Sequence, residues 1–323
     1  MKIVVVDKPR ENPGEIDWSA LYELGQVEMN QRLPQEEILS HIRDAEIILL
    51  NKSYLTADML KQCEKLKFIS VIATGYNTVD VKAAAELGIP VSNVPSYGTE
   101  GIGQHAIALL LEVTNHVGHH DAQVRTGRSG GPGDWCFWDY PNMELENKIM
   151  GVVGMGRIGQ ITARAAQAFG MKVLAYDTYQ NPVLESDALK YCGLDELLAS
   201  SDVISLHCPL FPETENMINR ESIAKMKDGV ILINNSRGAL VDEEALAEAL
   251  NSGKVYGAGL DTVREEPISP DNPLLKARNC YITPHISWTA VEGRQRLATY
   301  AVENVAAYLS GTPRNIVNGI AEF

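Results

Sequence analysis

The sequence predicts an α/β protein built from two doubly wound parallel-sheet domains, and three observations carry that prediction. Short apolar runs alternate with helical patterns twice over, once in residues 1–100 and again in 148–287. The second array opens on a strand-like run that leads directly into Gly154-Met155-Gly156-Arg157-Ile158-Gly159, a GxGxxG hexad. The chain of 323 residues is about twice the usual length of one domain.

In the first array, strand-like runs at 3–6, 46–50, 68–72 and 90–93 are separated by helical patterns at 36–44, 57–65 and 79–87. The loop Ala73-Thr74-Gly75-Tyr76-Asn77 follows a buried strand directly. Gly75 would let successive N–H groups point the same way as a small anion cradle, and an ordinary strand-to-helix turn fits as well. Pro95 and Gly98 punctuate the chain before a helical stretch from 100 to 111, the expected crossing between domains. Residues 125–147 combine Gly and Pro with Trp135, Phe137, Trp138 and Tyr140 and show no period, which suits either an arm gripping a partner subunit or a loop folded over its own domain. Strands are then expected at 148–153, 173–176, 203–206, 230–234, 255–260 and 280–283. A helical tail follows to about 309, ended by Gly311-Thr312-Pro313.

The unit 148–177 explains its own composition. One glycine of the hexad makes a tight turn, one lets the backbone approach a pyrophosphate, and one lets helix and strand pack closely. The helix N-terminus then presents free N–H groups and a partial positive charge to the phosphates. Asp177, at the tip of the second strand, can accept hydrogen bonds from both ribose hydroxyls and would repel a 2′-phosphate, so NAD is expected over NADP.

Hydrophobic content of 45% and charged content of 22% are those of a globular protein with ample core. No apolar run reaches the ~18 residues of a membrane span, and the N-terminus reads as a first strand rather than a signal peptide, so a cytosolic protein is expected. Five scattered cysteines without a CxxC pair argue against a disulfide framework and against zinc, and reduced, mostly buried thiols are expected. A net charge of −14 without a Lys/Arg cluster makes nucleic acid an unsuitable partner, while a small anionic substrate remains compatible. His116, His119 and His120 look like a metal cluster at first sight, but no acidic or cysteine partner sits at ligand spacing. They read as helix surface, and no metal is expected.

Polar groups recur just after the strands of the second array, where open α/β sheets bind ligands. Asn234-Asn235-Ser236-Arg237-Gly238 follows one strand, Asp261 and then Glu266-Pro267 follow the next, and Thr283-Pro284-His285 closes the last. Reduction of a 2-keto acid by NADH needs a proton donor for the developing alkoxide and a cation that holds the carboxylate and polarises the carbonyl. His285 suits the proton, Glu266 can orient the ring and stabilise its imidazolium, and Arg237 offers a planar fork to the carboxylate. His207-Cys208-Pro209 follows the 203–206 strand, where backbone contact with the cofactor is expected rather than proton transfer.

With these residues in view, the chain resembles the D-isomer-specific 2-hydroxyacid dehydrogenases over essentially its whole length, and within them the glycerate dehydrogenase (hydroxypyruvate reductase) branch. The matching stretches are Ala-Thr-Gly-Tyr-Asn-Thr-Val-Asp at 73–80, Cys-Phe-Trp-Asp-Tyr-Pro at 136–141, the hexad at 154–159, Asn-Ser-Arg-Gly at 235–238, Gly-Leu-Asp at 259–261 with Glu266-Pro267, and Pro-His-Ile-Ser-Trp at 284–288. The resemblance implies a Rossmann NAD-binding domain (99–288) inserted into a flavodoxin-like substrate domain (1–98 and 289–323), with Arg237, Glu266 and His285 as catalytic residues. It implies cofactor contacts from Gly154, Gly156, Arg157, Ile158, Gly159, Asp177, Cys208, Pro209, Thr214, Asn235, Ser236, Asp261 and His285, with Asp261 holding the nicotinamide carboxamide. Thr74, Gly75 and Tyr76 would bind the substrate carboxylate together with Arg237 and His285. It further implies a homodimer embraced through about 120–146. The activity implied is NADH-dependent reduction of hydroxypyruvate or glyoxylate to the D-2-hydroxy acid. Specificity for D-lactate or phosphoglycerate is the alternative, and a purely NAD(H)-sensing binding protein a more distant one. Phosphoglycerate enzymes carry arginines in the loop after the third strand, whereas the loop here is Asn51-Lys52-Ser53-Tyr54, with Lys52 its one cation. That difference points to an unphosphorylated substrate. Gln104 stands where many relatives have Glu.

Overall fold

Runs of isoleucine, leucine and valine become the inner strands of two all-parallel sheets in the computed structural model, which describes residues 1–8 and 16–320. The chain divides into two compact units, Met1–Gly98 with Thr289–Phe323 and Thr99–Trp288; residues 321–323 of the expected 289–323 segment lie outside those described.

The first unit holds β1 (Lys2–Val5), β2 (Gln26–Met29), β3 (Ile47–Leu50), β4 (Phe68–Val71) and β5 (Val91–Ser92), in the order β2-β1-β3-β4-β5. Every residue of β3 and β4 is buried, as strands covered on both faces must be. The sequence pattern passes over β2. It is an edge strand with Gln26 exposed and the rest half-buried, so it never forms a continuous apolar run. The helix Val291–Leu309 returns to this unit and lies on β4, stacking Tyr308 on Phe68 with ring centroids 4.4 Å apart. Its buried Asn304 donates from Nδ2 to Asn93 O at 2.9 Å. Order reverses between β1 and β3, and the loops leaving those strands meet there. The buried Asp7 carboxylate accepts from the N–H groups of Asn51 (2.7 Å), Lys52 (2.5 Å) and Ser53 (2.8 Å). Burial pushes the Asp7 carboxyl above its ordinary range, partly offset by these three backbone donors.

The second unit holds β6 (Ile149–Val153), β7 (Lys172–Tyr176), β8 (Leu189–Tyr191), β9 (Val203–Leu206), β10 (Val230–Asn234), β11 (Val255–Leu260) and β12 (Cys280–Ile282), ordered β12-β11-β10-β9-β6-β7-β8. The sheet has seven strands where six were expected. The extra one, β8, is a three-residue edge strand with Lys190 exposed, and its pattern cannot be told from a loop. The chain moves outward one way through β7 and β8 and the other way through β9 to β12. This places the topological switch between β6 and β9, over which α/β sheets bind ligands. Small residues let the covering helices close in. A Cβ on Gly151 would lie 2.5 Å from Leu197 Cδ2, and one on Gly103 of the helix Thr99–Asn115 would lie 2.6 Å from Ile161 Cγ2 of the helix Arg157–Ala168.

The histidine triplet departs from the expected helix surface. His116 is fully buried at a left-handed φ of 51°, its ring nitrogens bonded to the hydroxyls of Tyr281 (2.8 Å) and Tyr256 (3.1 Å). The acidic partner that local spacing hides is Asp139, from the irregular segment, 2.7 Å from His119 Nε2 and paired through both carboxylate oxygens with Arg128. No group of metal-binding side chains is assembled among the described residues. Between 126 and 147 the backbone is irregular, with Trp135 84% and Trp138 72% exposed. No described helix is long and apolar enough to cross a membrane.

Candidate active site

The hexad opens the site at the switch point. Gly154 adopts φ 98°, and a Cβ there would meet Cys208 N at 2.6 Å, so only glycine allows the β6 and β9 loops to touch. A Cβ on Gly159 would fall 2.0 Å from Gly154 O, which fixes the close helix–strand approach. Around Gly156 a Cβ would meet nothing within 4 Å. This glycine is the N-cap of the helix Arg157–Ala168 and no side chain caps it. Open space at an uncapped helix N-terminus fits a pyrophosphate, with Arg157 and Ile158 in the first turn. Asp177 directly follows β7 and reaches back to the hexad: Oδ2 accepts from Met155 N at 2.7 Å and Oδ1 from Tyr179 N at 3.1 Å. The acid expected at the ribose therefore also braces the glycine turn.

The β9 loop is spent on its own structure. Thr214 donates to Pro209 O at 2.9 Å and accepts from Phe211 N at 2.8 Å, and Ser236 Oγ donates to Cys208 O at 2.6 Å. Burial pushes the Cys208 thiol up to about 11, so it remains protonated, and lowers His207 to about 4, so that imidazole remains neutral beside Ser205 Oγ at 2.9 Å. Both side chains fit a loop offering backbone rather than charge.

Strands β10, β11 and β12 are neighbours, so the loops leaving them are neighbours too. Asn235 is buried with Nδ2 donating to Ile102 O at 2.8 Å, while its Oδ1 is buried without a hydrogen-bond partner. Arg237 is exposed, donates from Nη1 to Ser236 O at 2.8 Å, and has no carboxylate partner among the described residues. Gly238 lies directly on the next loop, where a Cβ would come 1.9 Å from Val263 C. Glu266 and His285 meet: His285 Nδ1 lies 2.7 Å from Glu266 Oε2, with Oε1 accepting from Val263 N at 3.3 Å. His285 sits at φ 54°, a conformation costing roughly 1–2 kcal/mol for a residue with a Cβ. It is held by its N–H to Asp261 O (2.9 Å) and by Trp288 Nε1 to its own carbonyl (2.9 Å). With Nδ1 engaged, Nε2 is the nitrogen able to exchange a proton.

Asp261 is fully buried, and its carboxylate accepts from Thr283 Oγ1 (2.6 Å), Ile286 N (2.8 Å) and Ser287 N (2.8 Å), bracing the turn that carries His285. Sequence reasoning missed His105, whose Nε2 lies 3.1 Å from Thr283 Oγ1 and 3.6 Å from Asp261 Oδ1. It lies inside a helix far from every motif, and no local signal marks it. In the other unit, among the described residues, no hydrogen bond uses the N–H groups of Thr74, Gly75 or Tyr76, while Thr74 Oγ1 donates to Val94 O at 2.8 Å.

Comparison with known proteins shows the family. Residues 107–287 match the family model described as D-isomer specific 2-hydroxyacid dehydrogenase, NAD binding domain. The chain is 56% identical over 321 residues to the hydroxypyruvate reductase of Blautia hydrogenotrophica, covering 98% of this chain and 100% of that one. It is 41% identical over 284 residues to the glycerate dehydrogenase of Methylorubrum extorquens, covering 87% and 88%. Among solved structures it is similar to the TT0316 protein of Thermus thermophilus, with a TM-score of 0.86 and 38% identity over 98% of this chain and 100% of that one. The uncapped glycine turn, the acid at the end of β7 and the Glu266–His285 pair thus belong to an NAD-dependent oxidoreductase, and the chain is a member of the D-isomer specific 2-hydroxyacid dehydrogenase family.

Proposed function

We propose that this enzyme reduces hydroxypyruvate, and glyoxylate, to the D-2-hydroxy acid at the expense of NADH. The observation that carries the reading is the 2.7 Å pairing of His285 with Glu266, on the loops of the two strands to one side of the strand leading to Arg237, which has no carboxylate partner among the described residues. Similarity to a hydroxypyruvate reductase over the whole chain supports the choice of substrate.

Bound nicotinamide supplies the hydride. Every other task falls to the chain. His285 gives a proton from Nε2 to the oxygen on which charge develops, and Glu266 stabilises the imidazolium and fixes its ring. Arg237 holds the carboxylate with its fork and draws electron density from the carbonyl. The N–H groups of Thr74, Gly75 and Tyr76, unused among the described residues, suit a carboxylate, and Met1–Gly98 with Thr289–Phe323 is the proposed substrate-binding domain. Gly154, Gly156, Arg157, Ile158 and Gly159 carry the pyrophosphate, Asp177 the adenosine ribose, and Cys208, Pro209, Thr214, Asn235 and Ser236 complete the proposed cofactor surface. Asn235 Oδ1, buried and unpartnered, suits a hydrogen-bond donor on the cofactor. We assign 120–146 to a homodimer contact and the enzyme to the cytosol, where NADH is supplied.

Mixing the protein with NADH and a panel of 2-keto acids while following the loss of NADH absorbance tests the proposal. Highest kcat/KM with hydroxypyruvate or glyoxylate is expected, whereas silence across the panel, or a clear preference for pyruvate or a phosphorylated acid, overturns it.

A further inference from the structure

We propose that His105 is a positioning residue for catalysis: it donates a hydrogen bond into the Thr283–Asp261 pair and thereby locks the turn that presents His285. The inference rests on the assignment of proton transfer to His285, and it goes beyond it by adding a residue on a different element, the helix Thr99–Asn115.

The proton count fixes the direction of the bond. Thr283 has one hydroxyl hydrogen and its Oγ1 lies 2.6 Å from Asp261 Oδ1, an acceptor-only group when ionised, so the hydroxyl donates there. The same oxygen lies 3.1 Å from His105 Nε2 and has only lone pairs left to offer, so His105 Nε2 carries a hydrogen and donates. Its second contact, 3.6 Å to Asp261 Oδ1, is too long for a hydrogen bond but sets a polar N–H beside a carboxylate that has no exposed surface. The polarisation runs one way along the chain from His105 to Thr283 to Asp261, each link strengthening the next in a buried setting. Asp261 in turn holds the N–H groups of Ile286 and Ser287 through its carboxylate and that of His285 through its carbonyl.

The site needs such a lock because His285 occupies φ 54°, which the local sequence does not favour. The residue before it is Pro284, which cannot contribute an N–H, so the turn depends on donors and acceptors brought from elsewhere. If the Thr283 hydroxyl turns away from Asp261, the carboxylate loses one of the contacts that hold it against Ile286 and Ser287, and the ring of His285 loses its fixed approach to Glu266. A displacement of about 1 Å in a proton donor can cost on the order of 100-fold in rate.

Four variants test this: His105→Gln, which keeps an amide donor near the position of Nε2; His105→Leu, which removes it; Thr283→Val; and the His105→Leu/Thr283→Val double variant. His105→Leu is expected to lower kcat by roughly 10- to 100-fold with NADH affinity by fluorescence unchanged, and His105→Gln to recover most of that loss. The double variant should lose no more than the worse single variant, because the two residues make one bond. Unchanged turnover in His105→Leu, equal losses in the Gln and Leu variants, or losses that multiply in the double variant would each overturn the inference. Should His105→Leu fail to fold, Thr283→Ser against Thr283→Val tests the bond from its other end: Ser is expected to keep turnover and Val to lose it, and equal turnover in the two overturns the inference. His285→Ala assayed alongside separates the two levels. An inactive His285→Ala with a fully active His105→Leu sinks this inference alone, whereas an active His285→Ala sinks the assignment beneath it.

Discussion

His285 and Arg237 make different demands on the reaction, and their variants should fail differently. His285→Ala removes proton transfer alone, so kcat is expected to fall about 10²- to 10⁴-fold with NADH binding intact by fluorescence titration. Loss of NADH binding instead would show that the residue holds cofactor rather than proton. Arg237→Ala removes carboxylate binding together with carbonyl polarisation, so the apparent KM of the keto acid should rise while kcat falls, and Lys should rescue only part because a point charge lacks the fork. Asp177→Ala should narrow the preference for NADH over NADPH; an unchanged ratio of kcat/KM for the two cofactors would show that Asp177 serves only as the brace for Met155 and Tyr179. His207 contributes to the pH dependence of stability. Burial lowers its pKa from 6.5 to about 4, so the unfolded chain takes up a proton here that the folded chain refuses. The ring costs the fold nothing above pH 6.5, and stability falls as pH drops from 6.5 to 4, below which the penalty is constant. His207→Gln should therefore flatten stability between pH 4 and pH 6.5 in denaturant titrations, and an unaltered slope would show that the ring reaches solvent.

At the level of elements, what could be read in advance depends on how a segment is covered. Strands β3, β4, β9 and β10 lie between helices on both faces, so nearly every side chain is apolar and each stands out as a run. The edge strands β2 and β8 touch a neighbour on one side, carry Glu28 and Lys190, and had no such run to show. The glycines of the hexad were legible because their freedom has a sequence signature. Gly154→Ala is expected to cost several kcal/mol of stability, through φ 98° and the 2.6 Å approach to Cys208 N, and to abolish NADH binding. A variant that melts and binds like the parent would refute the close contact between the β6 and β9 loops. The hydrogen bonds of Asp261 were not legible. A carboxylate at a strand end looks the same in sequence whether or not it accepts, as here, three hydrogen bonds from the turn beyond the next strand.

For the molecule as a whole, the exposed Trp135 and Trp138 should be covered by a second copy of the chain if 120–146 is a dimer arm. Light scattering is expected to find a dimer, and a Trp135→Ala/Trp138→Ala variant is expected to shift it toward monomer; a monomeric parent would end that reading. The sequence by itself determined the fold class and the glycine turn and named His285, Glu266 and Arg237 as the proposed reacting groups, because each rests on short-range rules: hydrophobic period, glycine at positive φ, and residue type at a strand end. The tertiary structure brings Glu266, the expected partner, to His285, and it alone decided that Asp261 braces the turn carrying His285, that His105 stands behind Thr283, and that His116 is buried among tyrosines while Asp139 comes from the irregular segment to meet His119. Those relations join residues from 19 to 178 positions apart in the chain. Burial and hydrogen-bond partnership at such distances are set by how strands are ordered in the sheet, which no local pattern encodes.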